Sequence, residues 1–124
     1  MKKDILQIKE LIILKKGQKK PLVDKISLSI KQGEVVALVG ESGAGKSITS
    51  LSIIQLLNER YGLLFKGEIF LFKEGEKIHI ANANLNELNQ IRRKEIGIVF
   101  QEPQSALNPL ITCGKQVGES ILIS

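Results

Sequence analysis

The feature that most constrains this chain is a glycine-rich segment at residues 40–47, which reads G-E-S-G-A-G-K-S. The unbroken run E-V-V-A-L-V-G at residues 34–40 leads into it, and such a run is typical of a strand buried on both faces. Apolar residues then follow at the spacing of one helix face, at positions 48, 51, 54 and 57. The sequence therefore predicts a buried strand, a loop and a helix over residues 46–57, which indicates an α/β fold.

The residue types in this segment are those that hold a polyphosphate. Glycine, four free positions and then Gly-Lys-Ser match the P-loop pattern. Gly40, Gly43 and Gly45 permit backbone turns that a β-carbon would block, so that successive N–H groups point inward at the positive end of a helix. Lys46 is suited to reach the β- and γ-phosphates, and the Ser47 hydroxyl to ligate Mg²⁺. The alternative, an ordinary strand-to-helix turn, does not explain Lys46 and Ser47.

Hydrophobic periodicity predicts the other elements. Strands are expected at residues 5–14, 26–30, 68–72, 77–80 and 96–100, and helices at 84–93 and from about residue 112, with a loop at 101–109. We expect His79 to face solvent from its strand. The single cysteine, Cys113, is expected to be a small apolar filler.

The positive charge of the chain is concentrated near its start. The formal net charge is +5 at pH 7, and seven lysines lie within the first twenty residues. A basic arm suits nucleic acid or an anionic membrane surface. However, the first sixty residues contain no aromatic side chain that could stack on a base. We therefore predict a solvated lysine surface and no nucleic-acid partner.

A second informative segment, I-V-F-Q-E-P-Q-S-A-L-N-P, lies at residues 98–109. A glutamine at the carboxyl end of an apolar strand, here Gln101, is placed to approach the metal and the attacking water near a γ-phosphate. Together with I-S-L-S-I-K-Q-G-E at 26–34 and the segment at 40–47, it resembles the nucleotide-binding subunits of ATP-binding cassette (ABC) transporters. The resemblance covers nearly the whole chain and is closest to the dipeptide, oligopeptide and nickel importer branch.

The resemblance implies a P-loop NTPase fold, with an ABC-type ATPase core and an antiparallel β-subdomain. It places the ATP-binding core at residues 1–100, and the Q-loop with the start of a helical subdomain at 101–124. Lys46 and Gln101 would be the catalytic residues, and Ser47 and Gln101 the Mg²⁺ ligands. The residues implied to contact ATP are Gly40, Glu41, Ser42, Gly43, Ala44, Gly45, Lys46, Ser47 and Ile48.

The resemblance also implies partners and a location. The subunit would lie at the cytoplasmic face of the plasma membrane as a peripheral protein and would power import of a solute, either a peptide or nickel. Residues 102–109 would lie near the coupling helix of a transmembrane permease subunit. A second ATP-binding subunit, identical or different, would complete the ATP sandwich.

Several features of the family pattern are missing from this sequence. No aromatic residue lies at 14–17 to stack on adenine, which leaves Leu14, Val23 or a lysine stem for that role. The two aspartates, Asp4 and Asp24, both precede the P-loop, and no Gly-Gly pair occurs. The acidic hydrolysis motif, the signature motif and the switch histidine are therefore absent.

We accordingly expect these 124 residues to be the N-terminal half of a longer ATPase and to be incompetent in hydrolysis alone. The main alternative is a non-catalytic nucleotide-binding fragment or a regulatory partner of a complete ATPase. Another class of P-loop ATPase, such as a DNA-repair ATPase, and a basic nucleic-acid module are further alternatives.

Overall fold

The computed structural model describes residues 1–41, 43, 45–57 and 61–123. They fall into two compact units, Met1–Asn84 and Leu85–Ser124. The strands are β1 (Asp4–Lys15), β2 (Val23–Lys31), β3 (Leu63–Lys73) and β4 (Glu76–His79), and the helices are α1 (Lys46–Ile53), α2 (Leu85–Lys94) and α3 (Cys113–Ile123). Short 3₁₀ turns lie at Ile80–Asn82 and Pro103–Ala106. The division predicted at residue 100 concerns function, and it stays a prediction.

The first unit is built on an antiparallel sheet with strand order β2-β1-β3-β4. This confirms the antiparallel β-subdomain and four of the predicted strands, of which β3 begins five residues earlier than expected. One face of the sheet is apolar because side chains alternate along each strand. Its buried side chains include Leu6, Ile8, Leu11, Ile13, Val23, Ile69 and Leu71.

A β-bulge in β1 keeps this apolar face continuous. The buried residues of β1 fall at positions 6, 8, 11 and 13, so the two-residue period breaks once. The break coincides with Glu10, whose backbone is left-handed at φ 47°, and with register shifts against both neighbouring strands. The Glu10 N–H donates to Ser27 Oγ at 2.8 Å. Since an extra residue reverses the facing of all later side chains, the bulge returns Leu11 and Ile13 to the core.

Two predicted strands are wrong. Residues 34–40 and 96–100 form neither strand nor helix, and their apolar side chains are exposed, with Val35 at 95%, Val39 at 93% and Val99 at 89%. A strand that is buried on both faces needs a paired neighbour on each side. In the part of the chain that the structure describes, only β1 to β4 are paired, and they pair with one another.

Two single-residue expectations are also wrong. His79 does not face solvent: it pairs with buried Phe70 across β3 and β4, with 4.8 Å between the ring centroids, and is half-buried. Its Nδ1 lies 2.8 Å from Asn82 Nδ2. Cys113 is exposed rather than buried, because it begins a helix whose apolar Val117 and Ile121 are exposed as well.

The helices of the second unit begin close to the predicted positions. α2 starts directly after Asn84, carries Glu87 in its first turn and ends on basic residues, an arrangement that complements the helix dipole. α3 begins one residue after Thr112. No helix in the described ranges has the length and apolarity needed to cross a bilayer.

Candidate nucleotide-binding site

The glycine-rich segment ends in a helix N-terminus capped by Gly45. This residue has φ 86° and ψ 9°, a left-handed conformation, and α1 starts at the next residue. Gly43 is left-handed as well, at φ 85°. Glycine adopts this region at no steric cost, whereas other residues are strained there. The structure thus confirms that two of the predicted glycines make the turn from the loop into the helix.

Gly45 is also fixed by a close approach to the sheet. A Cβ at this position would lie 2.8 Å from the Leu22 carbonyl oxygen and 2.9 Å from Val23 Cγ2. Both neighbours are held in turn by β1, since the Leu22 N–H donates to the Ile13 carbonyl at 2.8 Å and Val23 pairs with Ile13. The sheet therefore sets the position of the first helical turn, a contact that the glycine pattern alone does not reveal.

The Lys46 ammonium group turns back over the loop. Its Nζ donates to the Gly40 carbonyl oxygen and, at 2.7 Å, to the Glu41 carbonyl oxygen. These contacts place a positive charge within the same loop that opens onto the helix N-terminus. A cation next to unpaired helical N–H groups favours an anionic ligand.

Two buried hydroxyl groups of α1 donate hydrogen bonds to backbone carbonyl groups at the end of the loop and in the helix. Thr49 Oγ1 donates to the Gly45 carbonyl oxygen at 2.7 Å, and Ser52 Oγ donates to the Thr49 carbonyl oxygen at 2.6 Å. Both residues are almost fully buried. Sequence reasoning missed them, because Ser and Thr in a helix usually indicate a solvated face. The only signal in the sequence is that Thr49 and Ser52 lie next to the apolar positions of α1.

The other predicted ATP contacts lie around this turn. Ser47 is exposed in the first turn of α1, and Ile48 is half-buried beside it. Ser42 and Ala44 are outside the described residues. α1 ends at Ile53, earlier than the predicted residue 57, because Gln55 takes a left-handed conformation at φ 53° that closes the helix.

Gln101 belongs to the second compact unit. It is exposed and precedes Glu102, which is left-handed at φ 55° and starts the 3₁₀ turn Pro103–Ala106. The described residues contain no cluster of three or more His, Cys, Asp or Glu side chains suited to a metal ion. Hydroxyl and amide oxygens such as those of Ser47 and Gln101 are nevertheless suitable partial ligands for Mg²⁺, which keeps several waters and binds substrate phosphates.

The donor set of this loop fits a magnesium nucleotide. It combines a left-handed glycine turn, a helix N-terminus, an ammonium group within the loop and an exposed hydroxyl at the start of the helix. The adenine surface is less defined. Val23 is only 2% exposed beneath Gly45, which excludes it as a stacking surface, whereas Leu14 is half-buried.

Comparison with known proteins agrees with this geometry. Residues 23–120 match the ABC transporter family. A Brucella ovis protein with the provisional name of peptide import ATP-binding protein is 44% identical over 102 residues, which are 82% of this chain and 30% of that protein. The oligopeptide transport ATP-binding protein AppD of Bacillus subtilis is 43% identical, with the same coverage of both chains.

The glutathione import ATP-binding protein GsiA of Escherichia coli is 38% identical over 105 residues, which are 84% of this chain and 17% of that protein. The chain thus spans 30% or less of the length of these relatives. The family match covers both the glycine-rich loop and the segment that contains Gln101. This chain belongs to the ABC transporter family.

Proposed function

We propose that this chain binds ATP through residues 40–48 and that it forms the nucleotide-binding part of an ABC importer. The observation that carries the proposal is the first turn of α1, where left-handed Gly45 caps the helix and Lys46 reaches back to the loop carbonyls. The match to the ABC transporter family supports it.

Lys46, Ser47, Gln101 and the backbone N–H groups at the start of α1 have different roles in the proposed binding of the nucleotide. The Lys46 ammonium exchanges its two carbonyl partners, Gly40 and Glu41, for oxygens of the β- and γ-phosphates. The backbone N–H groups at the start of α1 donate to the phosphate chain. The Ser47 hydroxyl would bind Mg²⁺, which would supply charge neutralisation at the phosphates. For Gln101 the family resemblance alone implies a role as a Mg²⁺ ligand. The resemblance also implies that Gln101 would signal towards the membrane subunit.

The proposed cargo and partners follow from the relatives. Their names describe import of peptides, oligopeptides and glutathione, so we propose a peptide-like solute, with nickel as the alternative. The chain would act at the cytoplasmic face of the membrane, bound to permease subunits through residues 102–109 and paired with a second ATP-binding subunit.

The family resemblance implies that hydrolysis uses an Asp-Glu pair, in which the Asp binds Mg²⁺ and the Glu is the general base, and the sequence contains no such pair. Asp4 and Asp24 are the only aspartates, and they lie in β1 and β2. We propose that the described chain binds ATP without appreciable turnover and that the complete subunit supplies the base. A regulatory partner of another ATPase, which binds nucleotide and never hydrolyses it, is favoured by the same observation.

Replacement of Lys46 tests the binding site. Lys46→Ala should lower the affinity for Mg-ATP at least a hundredfold, because it removes the cation that meets the phosphates. Isothermal titration calorimetry with a non-hydrolysable ATP analogue measures the effect. Lys20→Ala, which removes an exposed lysine of the same unit, is the control and should leave the affinity unchanged. Equal affinity in both variants would refute the phosphate site.

A further inference from the structure

The side chain of Gln116, on α3, reaches back eight residues to the loop before the helix. Its Oε1 accepts from the Asn108 N–H at 2.8 Å. Its Nε2 donates to the Asn108 carbonyl oxygen at 3.0 Å and to the Ile111 carbonyl oxygen at 2.8 Å. One acceptor and two donors of a single amide group are therefore engaged with loop backbone.

The loop is folded around this amide. Asn108 Oδ1 accepts from the Leu110 N–H at 2.9 Å, and the Ile111 N–H donates to the Asn108 carbonyl oxygen at 3.2 Å. Residues 108–111 thus form a tight turn whose two ends both bind Gln116. We name this arrangement, formed by Asn108, Leu110, Ile111 and Gln116, the amide clasp.

Short turns connect the clasp to Gln101 along the chain. The Ser105 N–H donates to the Glu102 carbonyl oxygen at 3.1 Å, and the Leu107 N–H donates to the Gln104 carbonyl oxygen at 3.3 Å. The segment from residue 102 to α3 therefore consists of successive hydrogen-bonded turns.

The clasp lies at the surface, where water could satisfy the same backbone groups. Its main effect is therefore to restrict conformation. Leu110, at 92% exposure, is the most exposed apolar side chain of the turn, and its N–H is held by Asn108 Oδ1 within the clasp. Binding by a preformed turn avoids the entropy cost of ordering a loop.

We propose that Gln116 is a positioning residue, which fixes residues 108–111 to α3 and presents them to the protein partner in one conformation. The identity of that partner as a permease subunit rests on the proposed function, whereas the clasp rests on the hydrogen bonds alone.

Amide hydrogen exchange, resolved by residue in the 124-residue chain, tests the clasp. In Gln116→Ala the Asn108 amide should exchange at least ten times faster than in the wild type, because its acceptor is lost, and the Leu110 amide should follow. Gln104→Ala, which retains the backbone carbonyl bonded to Leu107, is the matched control and should change neither rate. Exchange within twofold of the wild type in Gln116→Ala would overturn the proposal.

Gln116→Glu separates hydrogen bonding from side-chain bulk. An ionised carboxylate accepts but cannot donate, so it repels the Asn108 and Ile111 carbonyl oxygens, whereas the protonated form donates once. The carboxylate keeps an acceptor for the Asn108 N–H but repels the two carbonyl oxygens. After correction for intrinsic exchange, protection of Asn108 should therefore be lower at pH 7 than below the ordinary carboxyl pKa of about 4.3. Equal protection at both pH values would indicate a purely steric role and contradict the proposal.

The role in presentation has its own measurement. Affinity of Gln116→Ala for permease subunits reconstituted in nanodiscs should fall at least fivefold, and its affinity for the ATP analogue should match the wild type. Lost protection with unchanged permease affinity would overturn the positioning role and leave ATP binding intact. Loss of nucleotide binding in the wild-type chain would refute the proposed function instead, without affecting the exchange result.

Discussion

At the scale of single residues, Gly45 meets a conformational requirement and a steric one. Its left-handed backbone is within reach of several residue types, notably Asn and Asp. The steric requirement excludes them, because a Cβ at this position would lie 2.8 Å from the Leu22 carbonyl oxygen, and backbone cannot move aside as a flexible side chain can. The glycine pattern in the sequence indicates the first requirement only.

A comparison of two glycines separates these requirements. Gly33 is left-handed at φ 71° and has open space around the Cβ position, so Gly33→Ala should cost roughly 1–2 kcal/mol in the free energy of unfolding. Gly45→Ala adds a collision, which typically costs about 1–3 kcal/mol more, and should also weaken ATP binding. Urea unfolding and nucleotide titration of both variants measure the difference. Equal destabilisation of the two variants would show that Leu22 and Val23 move aside without a cost in free energy.

The scale of elements shows what the sequence pattern could and could not predict. β1 to β4 and all three helices were predictable, because alternation, helix periodicity and turn residues are local signals. Residues 34–40 and 96–100 carry a strong strand pattern yet form no strand, since pairing is a non-local property that these runs do not find among the described residues. The left-handed Glu10 was not predictable either, because no glycine marks the bulge in β1.

At the bulge in β1, substitution to glycine is expected to stabilise the protein. Glu10→Gly relieves roughly 1–2 kcal/mol of left-handed strain and retains the N–H that donates to Ser27. Glycine loses roughly 0.5–1 kcal/mol of this through its greater freedom in the unfolded chain, so the free energy of unfolding should rise by a net of about 0.5–1 kcal/mol. Lys9→Gly, one residue earlier and outside the positive-φ region, is the matched control and should destabilise. Thermal unfolding followed by circular dichroism distinguishes them. Destabilisation by Glu10→Gly would mean that the carboxylate, and not the backbone, matters at this position.

Gly67, on β3, lies opposite the bulge of β1. Replacement of this glycine by alanine should lower the free energy of unfolding, in contrast to Glu10→Gly. A Cβ there would lie 2.6 Å from the Glu10 carbonyl oxygen and 2.7 Å from the Lys9 carbonyl oxygen. The register shift between Lys9 and Ile12 coincides with this close approach. The bulge, Ser27 and Gly67 together keep the apolar side chains of β1 on the buried face of the sheet.

At the scale of the whole molecule, apolar surface is exposed in both compact units. Val35 and Val39 belong to the first unit and Val99 to the second, and contiguous exposed apolar residues favour association. The double substitution Val35→Ser and Val39→Ser should therefore lower concentration-dependent light scattering severalfold and leave the sheet intact. Ser29→Thr, at an exposed position of β2, is a control that should leave scattering unchanged. Unchanged scattering in the double variant would exclude this run as the associating surface.

Turnover is also a property of the whole molecule. The 124-residue chain should bind Mg-ATP and release phosphate no faster than the Lys46→Ala variant, because its sequence lacks the Asp-Glu pair that the family resemblance implies for hydrolysis. A coupled phosphate-release assay at saturating ATP measures this rate. Turnover that depends on both Mg²⁺ and Lys46 would show that a different group serves as the base.

The contact between Gly45 and Val23 has a consequence for how the protein can vary. Gly45 has no side chain that could move aside, so its backbone limits the size of the side chain at residue 23. A larger side chain at residue 23 should displace the first turn of α1 from β2 and weaken nucleotide binding, although residue 23 itself is buried. Tolerance to substitution at the start of β2 is therefore governed by a helix that begins more than twenty residues later.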